Sequence, residues 1–313
     1  MPNGSANDTN QESAVGFYFD TVVIISAYGV EHSVLEEALE KCGMYERLLS
    51  KTIRGSDIWN INHANGQPVE VSEHTVEIIQ CAQDISVRSN GAFDVTIAPA
   101  SGLWDFTSGK KQLPDAEALE EAVAHVDYKR LQLHGAVVNL PEGSEVDFGG
   151  IAKGYIADEI ATFLVEKGVQ SGLINFGGNI VVIGAKPDGG NWKIGIQNPK
   201  ESIGLYLGHV AVADISVVTS GIYERGFEFD GATYHHLLDP QTGYPVQNEL
   251  ASVSVLSEVS MRADALSTAC FVMGTEKAME FLKQFPEVEA IFVDRDGEIT
   301  YTKGIENRFF AIE

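Results

Sequence analysis

Apolar positions recur at helical spacing in several stretches, with dense β-branched runs between them. Across residues 31–50, Val34, Leu35, Ala38, Leu39 and Cys42 fall on one helical face. A second stripe (Val76, Ile79, Ala82, Ile85) follows Ser72, a suitable N-cap, and stops at Asn90-Gly91. Pro114-Asp115 opens a short third helix through Ala124. Further helices are expected over 151–167, 261–273 and 275–284. Strands are expected over 17–27, 173–176, 180–183, 192–197, 210–213, 217–218, 227–229 and 252–256. Hairpins are expected around His134-Gly135 and Asp296-Gly297. Helices and strands mix without a regular βαβ alternation, so the pattern points to an α+β fold rather than a doubly wound parallel sheet. No internal repeat or long linker interrupts it.

Composition narrows the reading. The chain has 313 residues, 44% hydrophobic, with 45 acidic against 21 basic side chains and a formal charge of -24. Such acidity disfavours nonspecific binding to nucleic acid or anionic membrane. Cys42, Cys81 and Cys270 are odd in number and lack CxxC spacing, which argues against a disulfide framework or a zinc site. No apolar run is long enough to span a membrane. Residues 1–16, mostly polar, read as a disordered leader, and 17–313 as a single domain. The start carries no apolar export segment and no lipid-anchoring cysteine. The expectation is a protein that stays inside the cell, or one whose export segment is missing from this sequence.

Three clusters could carry chemistry. Asp147-Phe148-Gly149-Gly150-Ile151-Ala152-Lys153-Gly154 puts a carboxylate, a flexible backbone and a lysine at a helix mouth, where unpaired amides and the helix dipole attract anions. The alternative is an ordinary turn with a surface lysine. Asp264 and Thr268 stand at i and i+4 of a helix, so they share a face. Their oxygens suit a hard cation such as Mg²⁺, although Asp264 could instead cap the helix. His235 and His236 precede Leu238-Asp239-Pro240 and Thr242-Gly243, at the edge of a turn-rich loop. Imidazole suits proton transfer there, and packing is the alternative.

Seven motifs in order make the chain resemble the ApbE family, the FAD:protein FMN transferases. They are Phe19-Asp20-Thr21, Ser89 to Thr96, Asp147 to Gly154, Asn175 to Asn179, Thr219 to Arg225, His236 to Pro240 with Thr242 to Pro245, and Asp264 to Ala269. The resemblance implies a T-fold-like α+β unit, two-lobed, with mixed and mainly antiparallel strands. It implies FAD as substrate, contacted by Phe19, Ala92, Phe93, Asp94, Asp147, Lys153 and Leu238. It also implies Mg²⁺ held by Gly150, Asp264 and Thr268 with Ser267 beside them, and His236 as the base. The family's second aromatic, after the first helix, is replaced by Thr52. The implied reaction joins FMN to a Ser or Thr hydroxyl of an acceptor flavoprotein and releases AMP. An FAD pyrophosphatase and a non-catalytic FAD-binding protein are the competing readings. Family habit places the reaction on the outer side of the bacterial cell membrane, with the cytoplasm as the other option.

Overall fold

Gln11–Tyr18 (β1) and Thr21–Tyr28 (β2) pair antiparallel along their whole length. Phe19 and Asp20 join them with φ of 51° and 57°, the two positive values that a tight hairpin turn needs. This is a computed structural model that describes residues 10–312. Residues 11–16 of the expected leader are therefore edge strand, while 1–9 lie outside the described residues. Only Ala14 of β1 is buried, so its sequence shows little alternation to read.

The chain continues through α1 (His32–Leu49), α2 (Asp57–Asn62), β3 (Val69–Glu70), α3 (Glu73–Arg88), α4 (Ala98–Ser101) and α5 (Ala116–Val123). Next come β4 (Gln132–His134), β5 (Val137–Asn139), α6 (Ala152–Glu166), β6 (Gly172–Phe176), β7 (Asn179–Ile183), β8 (Trp192–Gln197) and β9 (Tyr206–Val212). β10 (Ile215–Gly221), β11 (Gly226–Phe229), β12 (Ala232–His235), β13 (Leu250–Ser257), α7 (Ser260–Met273) and α8 (Thr275–Phe281) follow. β14 (Glu289–Asp294), β15 (Ile299–Tyr301) and β16 (Phe309–Ala311) close the chain. Ser72 caps α3 by accepting the Thr75 amide, as its sequence position predicts. The short helix α2 is capped in the same way by Ser56, which accepts from Trp59.

An eight-stranded sheet, ordered β1-β2-β6-β7-β10-β13-β14-β15, organises the body, and all its pairings are antiparallel. Helices α1, α6 and α7 pack on one face. The three-stranded sheet β16-β9-β8 covers part of the other, burying Trp192, Ile194 and Val210 against Val217, Leu256 and Ile291. A smaller satellite core joins α4 and α5 to the β11–β12 hairpin through Trp104, Leu119, Leu238, Phe227 and Tyr234. The Trp104 indole also donates to the Gly243 carbonyl at 2.8 Å. No helix among the described residues is long and apolar enough to cross a membrane. The three cysteines are unpaired, with Cys42 and Cys270 buried in the main core. Burial pushes the Cys42 thiol up to about 12 and raises that of Cys270 as well.

Helices α6 and α7 cap each other. Asp158 of α6 accepts the Ser260 and Met261 amides at 2.9 and 2.8 Å, and Asp264 of α7 accepts the Gly154 amide at 2.9 Å. The exchange depends on glycine at 154. A Cβ there would run into the Ser260 carbonyl and lie 2.8 Å from the Met261 Cα. Gly154→Ala gains about 1 kcal/mol of helix propensity. Forcing apart two backbones costs about 1–3 kcal/mol or more. We expect overpacking to win, so that urea denaturation shows the variant less stable than the parent.

Candidate active site

Strand register gathers the chemistry at one end of the large sheet. Val23 pairs with Phe176, Phe176 with Asn179, and Asn179 with Val218. The turn at Phe19-Asp20, the turn at Gly177-Gly178 and the last residues of β10 therefore lie side by side. Phe19 packs on Phe176 with ring centroids 6.3 Å apart, and its amide donates to Glu46 at 2.7 Å. Ser220, near the end of β10, shares a 2.7 Å hydrogen bond with Ser267 of α7, tying the sheet end to that helix.

The mouth of α6 reaches the same region. Asp147 Oδ1 accepts the Gly149 amide at 2.8 Å and shapes the turn, while the Asp147 amide donates to Val95 at 2.7 Å. A Cβ on Gly150 would stand 3.3 Å from both the Phe93 ring and Thr268 Oγ1, so the glycine lets this backbone lie against both side chains. Two amides of the helix mouth have partners within the protein. The Phe148 carbonyl takes the Ala152 amide, and Asp264 takes that of Gly154. The Asp264 carboxylate thus lies against the start of α6.

Asp264 sits in the second turn of α7 and is almost wholly buried, so it does not cap its own helix. Burial raises its pKa. The Lys153 ammonium, the Gly154 amide and the nearby Asn179 side chain act in the opposite direction. Both polar atoms of the Asn179 amide are buried and lack a partner at ordinary hydrogen-bond geometry. Thr268 Oγ1 lies within 3.4 Å of both the Asp264 carbonyl and Ser220. No three His, Cys, Asp or Glu side chains cluster as a metal site among the described residues. A magnesium site need not look like that, because carbonyl and hydroxyl oxygens serve equally. The Gly150 backbone, Asp264 and Thr268, with an orphaned amide beside them, fit such a hard cation. Ser267 is fully buried with its hydroxyl committed to Ser220 and the Asp264 carbonyl, which sets it behind the site.

The two histidines separate cleanly. His235 ends β12 inside the core, its Nε2 donating to the Val246 carbonyl at 3.1 Å and its ring edge-on to Phe271. His236 faces Glu224, with Nε2 3.9 Å from Oε2, and each keeps 27% of its side chain open while protein surrounds the rest. Both side chains are therefore partly buried and still reached by solvent. Carbonyls only accept, so the 3.3 Å contact from His236 Nδ1 to Arg225 O puts the ring proton on Nδ1 and leaves the Nε2 lone pair free. Burial, then the Lys153 charge, lowers the His236 pKa to about 3, so the ring is neutral at physiological pH.

Burial raises Glu224 to about 7. Lys153 opposes that shift, and Asp264 adds to it. Lys153 thus acts on Asp264, Glu224 and His236 alike, and Glu224 is the member to which motif reading gave no role. Because the folded state holds the Glu224 proton more tightly than the unfolded chain, its ionisation weakens the fold as pH rises from about 4 to about 7. Glu224→Gln removes that loss. Melting temperatures of parent and variant should agree near pH 4 and diverge by pH 8, with the variant higher.

The remaining expected residues are more dispersed. Phe93 is buried beside Gly150, and the Ala92 amide closes the preceding turn on Ser89. Asp94 spends its oxygens on Thr96 (2.8 and 2.6 Å) and the Tyr128 amide (2.8 Å), so it fixes the shape of that loop. Asp147 pairs with Lys51 at 2.6 Å, next to the aromatic-lacking Thr52. Leu238 packs in the satellite core with Trp104 and Leu119.

Comparison with known proteins settles the relationship, because the ApbE family model matches residues 19–292. The chain belongs to the ApbE family. It is 35% identical over 299 residues to a FAD:protein FMN transferase of Treponema pallidum, covering 90% of this chain and 83% of the relative. A Klebsiella pneumoniae protein of the same name is 34% identical over 295 residues, covering 93% and 92%. Among solved structures, the ApbE protein of Thermotoga maritima superposes with a TM-score of 0.88 at 31% identity, covering 97% of this chain and all of that one. The apo flavinyl transferase ApbE of Pseudomonas stutzeri gives 0.84 at 30% identity, covering 97% and 98%. The all-antiparallel main sheet and its helical layer are thus an ApbE fold.

Proposed function

We propose that the protein moves the FMN half of FAD onto a Ser or Thr hydroxyl of an acceptor flavoprotein, with AMP leaving and Mg²⁺ bound beside the diphosphate. Membership of the ApbE family makes the chain a flavin transferase; the hydroxyl, the leaving group and the metal are the finer reading. The observation that carries it is one lysine, Lys153, whose charge acts on both the neutral His236 imidazole and the buried Asp264 carboxylate.

His236 acts as the base. Its Nδ1–H is held by the Arg225 carbonyl, so Nε2 takes the proton of the incoming hydroxyl. That oxygen attacks the phosphorus on the riboflavin side. The bond from this phosphorus to the bridging oxygen breaks, and AMP departs with that oxygen. Lys153 places a positive charge where the diphosphate gathers negative charge. Asp264, Thr268 and the Gly150 carbonyl would hold Mg²⁺, which supplies Lewis-acid stabilisation of the phosphate oxygens.

A second reading has its own support. His236 and Glu224 are reached by solvent, so water could replace the hydroxyl and give free FMN and AMP. The test incubates the protein with FAD, Mg²⁺ and a candidate acceptor, then weighs the acceptor by mass spectrometry. A gain equal to an FMN phosphoester, with matching AMP, supports transfer. Free FMN and AMP without acceptor gain favour hydrolysis, and absence of AMP removes both.

A further inference from the structure

Glu224 is the one carboxylate within ion-pair distance of the His236 ring among the described residues, yet the reaction as drawn gives it no part. Taking up a proton at Nε2 makes an imidazolium. Lys153 from α6 and Arg225 from the β10–β11 connection are cations that oppose it, and buried His235 adds to the opposition. Asp264 from α7 faces Glu224 as a second acid. The site needs something that welcomes the proton, and Glu224 stands on the side where it arrives. Its Oε2 is 3.9 Å from Nε2, whereas Nδ1 is already taken by the Arg225 carbonyl.

The backbone fixes this arrangement. The Arg225 carbonyl accepts both the His236 amide, at 3.2 Å, and the ring Nδ1, at 3.3 Å. Gly226 pairs with His235 across the β11–β12 hairpin, and a Cβ on Gly226 would sit 2.6 Å from the Tyr234 carbonyl. A larger residue would push the start of β11, just after Glu224 and Arg225, away from the end of β12, just before His236. The Glu224 amide adds a 3.4 Å contact to Gly221 at the end of β10. At 3.9 Å the carboxylate and the ring do not bond directly, but one water, at ordinary hydrogen-bond distances of about 2.8 Å, can bridge them.

Resting on the transfer reading above, we propose that Glu224 is a positioning residue that acts through His236, facing the imidazolium and receiving the proton that Nε2 takes from the nucleophile. The balance is simple. The O–H bond of the nucleophile breaks, its proton passes to Nε2 and then, through one water, to the Glu224 carboxylate. The ring returns to neutral, and the carboxylic acid loses its proton to the solvent that reaches it. Burial, which raises the proton affinity of Glu224 above that of its neighbour, favours this direction.

The test is a double-mutant cycle with Glu224→Gln and His236→Ala. AMP release is measured with FAD, Mg²⁺ and N-acetylthreonine amide as the hydroxyl probe, alongside calorimetric FAD affinity. Glu224→Gln alone should lower kcat roughly tenfold or more while FAD affinity and KM stay within about twofold. In the His236→Ala background the same change should cost less than about twofold, because its route is already gone. Unchanged kcat, or an equal loss in both backgrounds, overturns the proposal. So does a loss confined to KM. A Glu224→Asp variant run in parallel guards against a folding defect, since it keeps the charge, and it should retain more activity than Gln. If the parent itself releases no AMP, the transfer reading falls and the role of Glu224 with it.

Discussion

Asp264→Asn should leave the protein folded and remove Mg²⁺-dependent cleavage of FAD. Asparagine keeps an oxygen for the Gly154 amide, so the tie between α6 and α7 survives. What disappears is the carboxylate charge among the oxygens of Gly150, Asp264 and Thr268. Losing a single fixed electrostatic contact in an active site costs about 10²–10³ in rate. Removing the charged ligand of a hard cation should cost at least as much, about 10³-fold. AMP release measured across Mg²⁺ concentrations checks the rate, and calorimetric Mg²⁺ uptake checks the site independently. Asp264→Ala should add a loss of about 1–3 kcal/mol in stability, because it also orphans a buried amide. A fully active Asn variant would remove Asp264 from the proposed metal site.

His236→Ala should lower transfer by about 10²–10⁴, the range for a positioned acid–base group, with FAD affinity nearly unchanged. The neighbouring histidine provides the contrast. His235 is wholly buried against Phe271, so His235→Ala opens a cavity and should destabilise the fold by about 2–4 kcal/mol. Thermal denaturation and AMP release, measured on both variants, separate a chemical defect from a packing defect. Equal turnover by His236→Ala and the parent would exclude the imidazole from the reaction.

Much of this was legible in the chain. Helical stripes located α1 and α3 because each buries a periodic apolar face, whereas α7 is buried nearly all round. The seven ordered motifs led to the family. Legibility failed where a residue's environment comes from distant chain. β1 was lost because an edge strand buries a single alanine, and its Gln-Glu-Ser start looks like solvent-exposed leader. The two histidines are indistinguishable as letters. Strand β12 runs from solvent into the core, where His235 ends it, and His236 stands at the following bend. Glu224 stood inside a recognised motif without a role, because its pairing with His236 arises only when the β11–β12 hairpin folds back. No local pattern announces that a carboxylate 110 positions later in the chain comes back to take the Gly154 amide.

The buried thiols have a practical corollary. Cys42 and Cys270 are shut inside the core and held protonated, so neither reacts while the molecule stays closed. Maleimide modification of these two sulfurs therefore works as a clock for opening. Its rate, counted apart from that of the less buried Cys81 and compared with and without FAD and metal, would read how far ligands tighten the core, with no engineered cysteine.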